Sequence, residues 1–232
     1  AAVVLVICGL GFWFTLNKVK TGEYSITYQS MKTSAGSSLT EIVNTTDSDM
    51  SITLPDSSQV TLSKSGKISY AINDTSQNRS VFLSGEAFFN VKKDANHPFF
   101  VYTNGLVTRV VGTSFRIKGL DNDSLVSVSV RTGKVLVFSS GESDHNEREQ
   151  ILLKPNEKVS YDRSLKKMEL TLADSPAIVL PPADLKAYKF NNTPVNEILI
   201  AIQKAYNIEI EYNMEDFSNC RLTIEITENS SL

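Results

Sequence analysis

The sequence has few of the residues that build reactive centres or disulfide frameworks. Among 232 residues there are two cysteines, two histidines and one tryptophan. Cys8 lies in an apolar run and Cys220 in a distant polar context, so a bridge between them is excluded and no disulfide framework is expected. His97 and His145 stand alone. No Cys/His/Asp cluster has the spacing of metal ligands, so neither a metal nor a cofactor is expected. Basic runs are missing too. The 23 Lys and Arg are balanced by 26 Asp and Glu, for a net charge of −3, which excludes nucleic acid as a partner. Hydrophobic residues make up 41% of the chain, enough to bury a core.

What is present is ordered along the chain. Residues 1–17 begin with AAVVLVICGLGFWFTL, a stretch without charge. A full membrane span needs about 20 apolar residues. The first residue is Ala rather than Met, and the expectation is that the chain starts inside a transmembrane segment. Phe12, Trp13 and Phe14 suit an interfacial aromatic belt. A cleaved signal peptide is the alternative, but Thr15-Leu16-Asn17 lacks a small-x-small site, which favours an uncleaved anchor.

Residues 18–50 are rich in Ser and Thr and read as a stalk. Residues 51–172 alternate apolar and polar side chains in short runs. Val126, Val128 and Val130 point one way while Ser127 and Ser129 point the other, the period of a half-buried strand. Turn residues recur at Pro55-Asp56, Gly85, Asn104-Gly105, Gly112, Gly133 and Pro155-Asn156. The pattern predicts an all-β domain, a short-stranded sandwich or a solenoid-like fold. Residues 173–184 carry Pro176, Pro181 and Pro182 and read as an extended linker. Residues 185–232 change character. Thr193 is a candidate N-cap with Pro194 at the first helical position. Val195, Ile198, Leu199, Ile202 and Tyr206 share a helical face, and Asn207 can close the helix in a left-handed conformation. Ile208 and Ile210 start one strand; Leu222, Ile224 and Ile226 mark another. A small α+β module of βαββ order is expected, truncated where a second helix would cover its sheet.

Six segments then carry a resemblance. ITLPDSSQVTL, VFLSGEAFFNV, HPFFVYT, RVVGTSFRI, VSVRTGKVLV and LKPNEKVSY, running from Ile52 to Tyr161, resemble the FecR domain in order and spacing. YKFNNTPVNEILIAIQKAYNIEIEY followed by NCRLTIEI (Tyr188–Ile226) is similar to the C-terminal domain of FecR relatives from Bacteroidetes, itself similar to the short N-terminal module of secretins and TonB-dependent transducers. The family usually has Gly after the first Pro-Asp, where this chain has Ser57. The resemblance implies an anti-sigma factor held by a single pass in the inner membrane, with its C-terminal region in the periplasm. It implies two partners. One is an extracytoplasmic-function sigma factor, bound by a cytoplasmic segment absent from this sequence. The other is the signalling module of an outer-membrane TonB-dependent transporter.

No paired-carboxylate or nucleophile motif stands out, and a metabolic enzyme is not expected. Glu86 reads as a hydrogen-bonded acid at a turn beside Gly85, Asp56 as a turn residue, and His97 as a loop residue. Gly112-Thr113 is the exception, because similar relatives cut their own chain there. A Thr hydroxyl can attack the preceding carbonyl, and Gly permits the strained backbone this needs. The bland reading is a glycine at a strand bend, Thr113 bonded to backbone and Phe115 in the core. For partner binding the candidate is the strand edge Leu222, Ile224, Glu225, Ile226 and Thr227, because an open edge recruits another strand. Two rival functions remain. A carbohydrate-binding or adhesion β-domain should expose an aromatic platform; an anchored hydrolase needs a polar cleft with perturbed acids.

Overall fold

The computed structural model describes residues 28, 39–71, 79–140, 149–181, 183–184, 188–217 and 219–227. The expected span at 1–17 lies outside the described residues. Among those described, no helix is long and apolar enough to cross a membrane.

The chain is mostly β. Its strands are β1 (Leu39–Val43), β2 (Met50–Thr53), β3 (Gln59–Leu62), β4 (Lys67–Ala71), β5 (Arg79–Asn90), β6 (Phe99–Thr103), β7 (Leu106–Val110) and β8 (Ser114–Gly119). They continue with β9 (Leu125–Thr132), β10 (Val135–Ser139), β11 (Gln150–Leu153), β12 (Glu157–Asp162) and β13 (Lys167–Leu172). All are linked into a 13-stranded sheet.

One strand organises this sheet. β5 is 12 residues long. Its first half pairs antiparallel with β4 and parallel with β6. Its second half pairs antiparallel with β3 and β8. Two layers follow, sharing β5: β1-β4-β5-β6-β7-β10-β11 and β2-β3-β5-β8-β9-β12-β13. The crossing point is Gly85, at φ 110°. A Cβ there would stand 2.8 Å from the Gly66 Cα, so only glycine permits both the twist and the close approach. The sequence reading of Gly85 and Glu86 as a turn is therefore corrected: the segment is one continuous strand that changes layer.

The layers close on a single core. Ile68, Leu83, Val101 and Leu153 from one meet Leu62, Phe89, Ile117 and Val128 from the other, each at most 0% exposed. Phe89 stacks on Phe115 at 5.1 Å and meets Phe99 edge-on at 6.3 Å, contacts worth about 1 kcal/mol each beyond burial. This is a sandwich-like arrangement around one core, not a solenoid.

The stalk reading fails from Leu39 onward, because β1 is part of the sheet. The reason is Asn44. Its side chain donates to the carbonyls of Ser48 and Leu62 and accepts from Thr46, and its backbone bonds Gly66 and Ser65. One buried amide thus turns the chain from the first layer into the second, and a Ser/Thr-rich composition hides it.

The C-terminal module holds β14 (Lys189–Pro194), α1 (Val195–Tyr206), a 3-10 turn (Met214–Phe217) and β15 (Arg221–Glu225). Two expectations are corrected. Thr193 is not the N-cap: Pro194 occupies that place, at ψ 138°, with no side-chain cap. Thr193 and Pro194 still pair with Leu222 and Arg221, and a residue before proline is held extended. The Ile208–Ile210 strand is also absent. Residues 208–213 are irregular, because Gln203 captures them: its carbonyl accepts from Ile208 and its side chain from Ile210. Asn207 closes α1 at φ 53°, in the left-handed region, as its type predicts. The module is strand–helix–strand.

Candidate functional site

The only described partner of β15 is β14. The backbone N–H of Ile226 donates to the Tyr188 carbonyl at 3.0 Å. In an antiparallel ladder such residues alternate with ones whose polar groups face the other side. Ile224 and Ile226 therefore spend their backbone on β14, while Thr223 and Glu225 turn theirs to the open edge. Side chains divide differently. Ile226 is buried and Ile224 packs on the same cluster, with Tyr188, Ala205 and Tyr206. Glu225 is exposed and paired with Lys189 at 2.8 Å, and Thr227 is exposed. Leu222, expected on the inner face, is 47% exposed. The pairing with β14 shifts register between Phe190 and Thr193.

The linker is less free than its prolines suggest. Ile178 and Leu180 pack into the same cluster as Tyr206, and the Val179 N–H donates to the Ala205 carbonyl at 2.8 Å. Asn156, in the turn between β11 and β12, holds this arrangement to the β-domain. It is 3% exposed. Its Nδ2 donates to the carbonyls of Ala177 (2.7 Å) and Tyr206 (2.6 Å), and its Oδ1 accepts from the Ala177 N–H (2.9 Å). Its own N–H and C=O engage Val130 and Ala173. The sequence marks Asn156 as a turn residue, and φ 70° agrees; nothing in the sequence shows that its amide reaches the end of a helix 50 residues on.

Gly112-Thr113 is closely packed. A Cβ on Gly112 would lie 2.6 Å from the Lys93 Cα. Thr113 is 4% exposed, and its Oγ1 donates to the Lys134 carbonyl at 3.5 Å. No acid or histidine among the described residues bonds that hydroxyl. The other candidates are structural. Asp56 accepts from the Ser58 N–H and hydroxyl, with Ser57 at φ 69°. Glu86 stands on the outer face of β5, paired with Arg116. His97 Nδ1 meets Asp94 Oδ2 at 2.8 Å on the surface, and this hydrogen bond is the main reason the Asp94 carboxyl is held below its ordinary pKa. Among the described residues no group of His, Cys, Asp and Glu could hold a metal.

Two residues matter that the sequence did not single out. Arg79 bonds Asp56 (2.7 Å) and the carbonyls of His97 (2.8 Å) and Lys92 (3.0 Å), and lies over the Phe99 ring. Tyr28, 1% exposed, packs with Phe82, Leu39 and Tyr102 on the outside of the first layer. Its hydroxyl donates to Glu41 Oε2 at 2.8 Å and shares a hydrogen bond with Ser69. Burial, above all, raises its pKa.

Comparison with known families places residues 40–136 in a family described as FecR protein and residues 187–232 in one described as FecR, C-terminal. Two crystal structures of a candidate anti-sigma factor from Parabacteroides distasonis ATCC 8503 are similar. The one at 2.50 Å is 31% identical with a TM-score of 0.53, over 83% of this chain and 86% of the other. The one at 1.65 Å is 30% identical with a TM-score of 0.52, over 82% and 86%. Among curated proteins none matches.

Proposed function

Since the chain belongs to the FecR family of anti-sigma factors, we propose that it is the signal-receiving region of such a factor, anchored in the inner membrane through residues 1–17 with the rest in the periplasm. Its input partner is the signalling module of an outer-membrane TonB-dependent transporter. Its output is control of an extracytoplasmic-function sigma factor. The observation that carries the reading is the open side of β15: an ordered strand, paired on one side only among the described residues, on a module fixed to the β-domain by Asn156. Such an edge supplies main-chain donors and acceptors in register with a second strand.

The rival carbohydrate-binding reading needs an exposed aromatic platform. Phe82, Tyr102 and Phe100 do form a stacked row on the outer face of the first layer, but Tyr28 and Leu39 pack over it, so it is not an open platform.

The test is capture of transporter signalling modules from the same cell by the full chain. Proline at Glu225 removes an outward donor while sparing the ladder with β14, as edge strands tolerate; proline at Ile224 would break that ladder. Capture by wild type, lost in Glu225→Pro and kept in Glu225→Lys, is expected. Failure of the folded wild type to capture any such module overturns the proposal.

A further inference from the structure

The outer face of the second layer carries a groove of about 680 Å³ that none of the functions above uses. Cross-strand register builds it. Phe88 lies opposite Arg116, Arg116 opposite Ser129, and Ser129 opposite Lys158. The neighbouring row sets Glu86 opposite Lys118 and Lys118 opposite Ser127. Arg131 joins by simple alternation: it follows Ser127 and Ser129 on the outward side of β9, while Val126, Val128 and Val130 face the core, and it lines the groove. The extended linker segment 173–177 forms one wall.

The charges are unequal. Arg116 is neutralised by Glu86 and Lys158 by Asp174. The exposed side chains of Lys118 and Arg131 have no partner among the described residues. The floor between them is the hydroxyls of Ser127 and Ser129, which can donate to an anion.

We propose that this groove binds an acidic, extended polypeptide segment of a protein partner. The chain itself shows the class of group that fits. Asp174, on the extended linker, already seats its carboxylate on Lys158, and an acidic strand lying beside the linker repeats that contact on Lys118 and Arg131. Spacing agrees. Lys118 lies opposite Ser127, and Arg131 stands four residues further along β9, about 13 Å along a strand, the separation of carboxylates four residues apart on an extended peptide. Phe88 gives an apolar contact at one end of the row, which a polypeptide can use and a bare polyanion cannot.

The probe is a fluorescein-labelled peptide of alternating Glu and Ser, titrated into the full chain and followed by anisotropy. Wild type is expected to bind, with affinity falling steeply as salt rises. Lys118→Glu combined with Arg131→Glu is expected to weaken binding roughly tenfold or more. Both residues are exposed and unpaired, and an unchanged circular dichroism melt confirms that the variant is folded. Asp174→Asn, which frees Lys158, is expected to tighten binding. Three outcomes overturn the proposal: no binding at low salt, equal binding by the charge-reversed variant, or preference for a heparin oligosaccharide of equal charge over the peptide.

Discussion

Single residues carry more of this fold than their composition suggests. Arg79 is the clearest case: its side chain is 14% exposed and its ion pair with Asp56 is 20% exposed on the acid side. Removing it takes the only described cation from Asp56, which keeps the Ser58 donors, and leaves the carbonyls of Lys92 and His97 to water. Arg79→Ala is expected to cost roughly 2–4 kcal/mol, read from urea denaturation, and Arg79→Lys most of that, because one ammonium cannot replace the fork. Tyr28 has a pH signature. Its folded pKa is raised, mainly by burial, so its neutral form is favoured in the fold. That contribution is fully present below the unfolded tyrosine value of about 10 and is lost as pH rises beyond it. Tyr28→Phe is expected to be less stable at neutral pH by about 1 kcal/mol and to show a smaller further loss above pH ~10, checked by melts across that range. At Gly112-Thr113 the Thr113 hydroxyl is buried, faces the Lys134 carbonyl at 3.5 Å and bonds no acid or histidine among the described residues. Intact mass spectrometry of an aged sample is expected to show an uncut chain. A fragment beginning at Thr113, absent in Thr113→Ala, would establish self-cleavage instead.

At the scale of elements, the β-strands were legible because their signal is local. The alternation at Val126, Val128 and Val130 places all three in the core, at 0%, 0% and 3% exposure. The helix was legible for the same reason: Val195 and Ile198 are buried and Asn207 caps it. Ile198→Asp puts a charge at a position 2% exposed and is expected to cost about 3 kcal/mol or more. Limited proteolysis should then cut the C-terminal module first; equal resistance of module and β-domain would contradict this packing. What the sequence hid is non-local. The long strand β5 looks like a turn because Gly85 interrupts its pattern, and its role depends on Gly66 across the sheet. β1 is hidden in a polar stretch because its partner β4 lies beyond two other strands. The Ile208–Ile210 strand was misread because alternation does not reveal that a glutamine side chain has claimed the backbone. At the candidate edge, Ile224, Glu225 and Ile226 fall where alternation puts them, whereas Leu222, on the same side of β15 as Ile224, stands outside the apolar cluster that covers Ile224 and Ile226.

For the whole molecule, the question is how an event at the C-terminal module reaches the rest of the chain. A free linker would transmit nothing, since a flexible tether lets the module move independently. Asn156 removes that freedom. Its amide satisfies both backbone groups of Ala177 and the Tyr206 carbonyl at the end of α1, while its own backbone holds β9 and the start of the linker through Val130 and Ala173. The contacts that join β15 to the β-domain run through the apolar cluster it shares with α1, then through the Tyr206 carbonyl to Asn156 in the β11–β12 turn. Asn156→Ala deletes these bonds without adding bulk and leaves Ala177 and Tyr206 with buried polar groups, at a cost of roughly 2–3 kcal/mol. The loss should fall on the joint and not on either unit. Faster proteolysis within 173–184 and a larger radius of gyration are expected, with the β-domain melt little changed. Asn156→Asp keeps the acceptor for the Ala177 N–H but sets a carboxylate oxygen against the two carbonyls that Nδ2 serves, so it should open the joint at least as much as Ala. Unchanged cleavage of the linker in both variants would mean that apolar packing of Ile178 and Leu180 alone holds the module in place.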